Sequence, residues 1–170
     1  MSTTQSNAFE SLHHSIKKWI WKQKWDSLRS IQESAIDPIL NADKDIVISA
    51  ATAAGKTEAA FLPICSNIVE ADSQSYHVLY VSPLKALIND QERRLRSLFE
   101  IIDSAITPWH GDIGQGRKKK SFSSPKGLLL ITPESLESLF VNRGQMLKNV
   151  FTDLRYVVID EFHAFIGSER

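Results

Sequence analysis

The chain has 170 residues, 42% apolar and 24% charged, with a formal net charge of zero. That length suits one domain with a real core, and the composition is that of a soluble globular protein. No apolar run approaches the roughly 20 residues that a membrane helix needs. The polar segment Met1–Glu10 has neither a signal-peptide core nor a basic leader. The single cysteine, Cys65, excludes an internal disulfide and fits a reducing cytoplasm.

In chain order, Phe9, Leu12, Ile16, Trp19 and Ile20 recur at helical spacing, which predicts a helix over Phe9–Lys24. A second helix is expected over Ser30–Leu40, with Pro38 near its end. The β-branched run Asp45–Ala50 (DIVISA) predicts a buried strand, and helical pattern resumes from Lys56 to about Ala71. Strands are then expected at His77–Ser82, Ala105–Trp109, Gly127–Ile131 and Leu154–Ile159. Helices are expected over Leu84–Ile102 and from Pro133, a favoured first helical position. Strands alternating with helices imply an α/β fold, a parallel sheet flanked by helices. Ser121–Pro125 is the most linker-like stretch. Just before it, Arg117-Lys118-Lys119-Lys120 reads either as a solvated loop or helix end, or as an electrostatic approach to phosphate. With no net basic charge, any nucleic-acid contact must come from such local groups.

Between the strand at Asp45–Ala50 and the helix from Lys56 lies Ala50-Ala51-Thr52-Ala53-Ala54-Gly55-Lys56-Thr57. That is the context of a phosphate loop. Backbone N–H groups at a helix start point at phosphate, and the helix dipole favours the anion. Lys56 supplies charge to the outer phosphates and Thr57 a hydroxyl to magnesium. The usual pattern opens with glycine where this chain has Ala50, and Ala53 also replaces a common glycine. The loop must therefore keep negative φ at both places.

Val157-Val158-Ile159-Asp160-Glu161 sets two carboxylates at the end of an apolar strand, where ligands of open α/β sheets bind. A magnesium ion offsets the burial of two acids. Asp160 would hold the metal, and Glu161 would orient and deprotonate the attacking water.

Together these residues resemble the first RecA-like domain of superfamily 2 DEAD/DEAH-type helicases, a phosphate-loop NTPase fold. Asp160-Glu161-Phe162-His163 is the D-E-x-H form of the family's second motif. Lys56-Thr57-Glu58-Ala59-Ala60-Phe61-Leu62-Pro63 and Ile159-Asp160-Glu161-Phe162-His163-Ala164 are most similar to the Lhr-type (large helicase-related) branch, and Gly167-Ser168-Glu169-Arg170 agrees with it. The resemblance implies an ATP-dependent helicase or translocase that uses ATP and Mg2+. It implies nucleotide contacts at Phe9, Gln32, Thr52, Ala53, Ala54, Gly55, Lys56, Thr57 and Glu58, with Gln32 reading adenine through its amide and Phe9 stacking on it. Trp25 resembles the aromatic that supports this upstream motif, and helix packing is the other reading of all three upstream residues.

Ser82-Pro83-Leu84-Lys85-Ala86-Leu87 resembles motif Ia, Thr132-Pro133-Glu134 motif Ib, and His110-Gly111-Asp112 the short motif between them. In the family these bind the nucleic-acid backbone, DNA being favoured here over RNA. Strand-to-helix junctions do offer N–H groups and hydroxyls to phosphate, although Pro83 and Pro133 could simply start helices. His163 would couple the nucleotide to the nucleic acid. The implied organisation is a helical region over residues 1–42 and a RecA-like ATP-binding domain over residues 43–170.

The family pattern continues beyond Arg170 with a motif III strand and a second RecA-like domain carrying arginine fingers, worth roughly three to five orders of magnitude in turnover. The expectation is an incomplete domain that binds nucleotide far better than it hydrolyses it, and that needs a second domain or a partner chain. Without the motif III strand, the strands at Asp45–Ala50 and Leu154–Ile159 should be separated by roughly 9–10 Å, two inter-strand spacings, with open edges. A truncated, non-catalytic nucleotide-binding or interaction module is the alternative.

Overall fold

The computed structural model describes residues 7–51 and 54–165. Thr52, Ala53 and Gly167-Ser168-Glu169-Arg170 lie outside the described residues. Backbone contacts divide the chain into two units, Met1–Glu70 with Ile101–Asp103, and Ala71–Glu100 with Ser104–Arg170.

The first unit is helical: α1 (Asn7–Ser11), α2 (His14–Lys22), α3 (Ser30–Asn41) and α4 (Lys56–Ile68). The single helix expected over Phe9–Lys24 is two, because His13 works as a cap. Its backbone is extended, and its Nδ1 accepts the Ser15 N–H at 3.3 Å, satisfying a donor of the first turn of α2. Its own N–H donates to Ser66 Oγ of α4 at 2.5 Å. Pro38 sits inside α3 without ending it; the helix stops at Ala42, which is left-handed (φ 50°) and returns its N–H to the Pro38 carbonyl. α3 packs along α4, α1 against α3, and α2 against α4.

One expected strand is absent. Residues 45–50 have no strand structure, and Val47 is 90% exposed. The run has the right composition, but strand propensity is a fit to a paired, half-buried surface, and the described sheet contains no ladder partner for it. The spacing expected between this strand and the last one therefore lapses.

The second unit carries the sheet: β1 (Tyr76–Val81), β2 (Ile106–Trp109), β3 (Gly127–Ile131) and β4 (Tyr156–Ile159), all parallel, in the order β2-β3-β1-β4. Its helices are α5 (Lys85–Ile101), α6 (Gln115–Ser123) and α7 (Pro133–Val150), and a 3₁₀ turn spans Phe162–Phe165. β1 and β3 are buried at every residue, as expected of central parallel strands. Among the described residues β4 pairs with β1 alone, and it alternates half-buried with exposed, leaving Val157 and Ile159 open.

Leu79, Val81, Trp109, Leu129 and Ile131 form one face of the sheet and pack with Phe122 of α6 and Leu139, Leu147 and Val150 of α7. Tyr76 joins the same core although it is three residues from Leu79, because the register slips between Tyr76 and Val78. Gly127 starts β3 at φ +73°, and a Cβ there would lie 2.4 Å from the Ala105 carbonyl oxygen. The segment 115–123, read in part as loop and linker, is helical because Phe122 reaches the core.

Candidate nucleotide and nucleic-acid sites

In the first unit, α4 starts at Lys56 behind Gly55, whose φ of 88° is open to glycine at little cost. The Gly55 carbonyl accepts the first helical bond, from the Ala59 N–H at 2.9 Å. Four described non-glycine residues have positive φ: Lys24, Ala42, Asp103 and Glu161. Ala50 is not one of them, as the alanine variant of the loop requires. Lys56 folds back over the loop, and Nζ donates to the carbonyl oxygens of Ala50 at 2.8 Å and Ala51 at 3.2 Å. Those oxygens occupy the ammonium as phosphate oxygens would, so the lysine suits an anionic ligand. Thr57 and Glu58 follow, half-buried, on the first turn of α4.

Gln32 is buried at 3% exposure. Its Oε1 accepts the Arg29 N–H at 2.9 Å, the returning half of a capping box at the start of α3. The other end of the amide is thereby aimed at Gly55: a Cβ on that glycine would stand 2.7 Å from Gln32 Nε2. The upstream glutamine and the glycine of the loop are thus brought together. Phe9 is buried in α1 with the Lys17 ammonium 5.6 Å from its ring centre. Trp25 meets Trp19 edge to face at 5.5 Å.

In the second unit, the Asp160 N–H continues the ladder of β4 to the Val81 carbonyl at 2.9 Å. Its carboxylate accepts from two sides: Tyr80 donates its hydroxyl to Oδ2, and the Glu161 N–H lies 3.0 Å from Oδ1. Burial, then the hydrogen bond to Asp160 and its charge, hold the Tyr80 phenol protonated far above its usual range. Glu161 has φ +50°, a strained conformation for a side-chain-bearing residue and one that recurs at functional sites. Its Oε2 lies 3.3 Å from His163 Nδ1, on the 3₁₀ turn. Each carboxylate keeps lone pairs for a cation, consistent with a divalent metal at Asp160.

A groove of about 930 Å³ opens on the same unit. Pro83, Leu84 and Lys85 line it from the end of β1, Gly111 from the end of β2, and Thr132 and Glu134 from the end of β3. Three segments distant in sequence thus share one cleft. Thr132 caps α7, its Oγ1 accepting the Ser135 N–H at 3.4 Å, and Pro133 takes the first helical position. Lys85 Nζ donates to Asp112 Oδ1 at 2.9 Å, which holds the Asp112 carboxyl below its usual range. His110 is buried; Nε2 meets Asn89 Oδ1 at 3.2 Å, and Nδ1 has no hydrogen-bond partner among the described residues, Asp112 Oδ2 standing 3.9 Å away.

Sequence reasoning missed Tyr80, which looks like any other strand residue. It also missed Ser135, Ser138 and Asn142 on the groove wall, although their spacing places them on one face of α7. It left Lys118 open between two readings and did not single out Gln115 or Arg143, which line the same groove.

The DEAD/DEAH box helicase model matches residues 29–170, and the chain belongs to that family, as a RecA-like domain of its Lhr-type branch. It is 31% identical to the ATP-dependent helicase Lhr-Core of Methanocaldococcus jannaschii, over 92% of this chain and 20% of the relative. Identity to Lhr-Core of Sulfolobus acidocaldarius is 27%, over 100% of this chain and 20% of the relative. The chain thus spans about a fifth of the length of these curated relatives. The solved structure of the Mycobacterium smegmatis helicase Lhr bound to ssDNA and AMP-PNP aligns with a TM-score of 0.80 at 27% identity, over 94% of this chain and 21% of that one. Among the described residues no helix is long and apolar enough to cross a membrane.

Proposed function

We propose that the chain is the ATP-binding part of a cytoplasmic motor that couples ATP hydrolysis to movement on nucleic acid, with a second RecA-like domain or a partner chain joining it. The observation that carries this reading is the groove in which Pro83–Lys85, Gly111, Thr132 and Glu134 meet. A motor of this class needs a surface that follows a phosphate backbone without reading sequence. In this reading Lys56 holds the outer phosphates, and Thr57 and Asp160 would hold Mg2+. Glu161 orients and deprotonates the attacking water, Gln32 reads the base, and His163 couples the two activities. Bound Mg2+ would supply positive charge to the phosphate oxygens. DNA is favoured over RNA, because the aligned Lhr structure has ssDNA bound.

The test measures nucleotide binding and ATP turnover of this chain, with and without single-stranded DNA or RNA. Expected results are nucleotide binding that Lys56→Ala abolishes, weak turnover, and nucleic-acid binding that falls with salt. Nucleotide binding unchanged by Lys56→Ala would overturn the assignment. The same measurement tests the alternative of a non-catalytic module, which binds nucleotide with no turnover in any longer form of the protein.

A further inference from the structure

The groove described above contains two cations held differently from Lys85. Trp109 at the end of β2 and Phe122 on α6 pack with ring centres 4.6 Å apart and planes tilted by 52°. Lys118 Nζ lies 5.5 Å from the centre of the Trp109 ring, and the Arg143 guanidinium 6.0 Å from that of Phe122. Both cations line the groove. Neither makes an ion pair among the described residues, whereas Lys85 is paired with Asp112. Lys118 is the fourth residue after the helix cap Gly114, its N–H bonded to the Gly114 carbonyl at 3.1 Å. Arg143 sits where α7 bends: its φ of −142° and ψ of 25° are non-helical in the middle of the helix.

We infer that Lys118 and Arg143 form a phosphate clamp in the groove, gripping the phosphodiester backbone of a single strand beyond the strand-end motifs. This rests on the nucleic-acid reading of the groove proposed above. A cation resting on an aromatic face keeps its charge and its N–H donors. A cation paired with a carboxylate must first exchange that partner. The buried aromatic pair fixes where the two cations sit, and a preset donor gives up less side-chain freedom on binding. The bend at Arg143 sets the guanidinium on the Phe122 ring. Contacts of this kind bind backbone and carry no sequence information, so the clamp grips any sequence equally.

Each cation that neutralises a phosphate adds about 0.7 to the slope of log affinity against log salt for a single strand. At about 0.1 M salt one such contact corresponds to roughly fivefold in affinity by the same relation. The experiment is fluorescence anisotropy of a labelled mixed-sequence single-stranded DNA with the full chain over a range of KCl, repeated with the matching RNA. Lys118→Ala/Arg143→Ala should weaken binding roughly 25-fold near 0.1 M salt and lower the slope by about 1.4, equally for every sequence. Lys118→Arg/Arg143→Lys should restore the slope, which lost packing would not do. If the alanine pair unfolds, Lys118→Gln/Arg143→Gln is read in its place. A wild-type salt slope left unchanged by the neutral pair overturns the clamp and leaves the groove reading intact, provided Lys85→Ala lowers the slope in an Asp112→Asn background. Wild-type binding with no salt dependence overturns both.

Discussion

Gln32 Nε2 lies 2.7 Å from where a Cβ on Gly55 would be, so the glutamine upstream of the loop occupies the space that a side chain there would need. The contact arises because the Gln32 carbonyl is committed to the Arg29 N–H, which turns the NH2 end toward the loop. Helix capping and loop identity are therefore one arrangement.

Gly55→Ala is expected to destabilise the chain for two reasons, about 1–2 kcal/mol for the left-handed backbone and a further amount for displacing Gln32. In a Gln32→Ala background only the backbone part should remain. Urea melts of the wild type, both single variants and the double variant measure the difference. Equal losses in both backgrounds would show that the two side chains do not meet.

Gly127→Ala should be the more damaging glycine substitution. Its φ is also positive, and the obstacle is the backbone oxygen of Ala105, which cannot swing aside as a glutamine does. Strain and overpacking together put the loss at about 3 kcal/mol or more. Soluble yield and melting temperature check it; a wild-type melt would show that β3 can start elsewhere.

Stability should be flat near neutral pH and fall on both sides. On the acid side, burial lowers the pKa of His77, with Arg155 adding to the fall and Asp153 opposing it. The unfolded imidazole takes up a proton below about 6.5 while folded His77 resists it, so stability is lost as pH falls through that range. On the alkaline side the phenols of Tyr80 and Tyr76 are raised by burial. The phenols' share of stability is intact below about 10 and drops above it by up to about 1.4 kcal/mol per pH unit each, and the Cys65 thiol, also raised by burial, adds a fall that starts at about 8.5. His77→Gln should flatten the acid limb, and Tyr80→Phe should remove one phenol's share of the alkaline one. Unchanged limbs in denaturant titrations at pH 5 and pH 10.5 would contradict the assignment.

Asp112→Asn should strengthen nucleic-acid binding. The wild-type carboxylate holds Lys85, which lines the groove proposed for phosphate, at 2.9 Å, so it occupies a cation that the ligand would need. Removing its charge should steepen the salt slope by about 0.7 and raise affinity several-fold near 0.1 M salt. Anisotropy titrations read both; a weaker complex would mean that Asp112 itself contacts the ligand.

The four-stranded parallel sheet was legible in the sequence because each strand is a short apolar run set off by a helical pattern. The carboxylates at Asp160 and Glu161 were legible because they end such a run. The turn into a helix at Gly55-Lys56-Thr57 was legible, because glycine followed by a helical pattern marks a helix start. Residues 45–50 show the limit of that reading: β-branched composition marks a segment able to pair, and only a neighbouring ladder makes it a strand. Local sequence settled which residue types stand at each strand end, since chemistry and spacing are properties of the chain. Tertiary structure alone decided that Tyr80 donates to Asp160, that Gln32 fills the space beside Gly55, and that Lys118 and Arg143 rest on one aromatic pair. Each of these joins positions far apart in the chain, and packing, unlike periodicity, leaves no local trace.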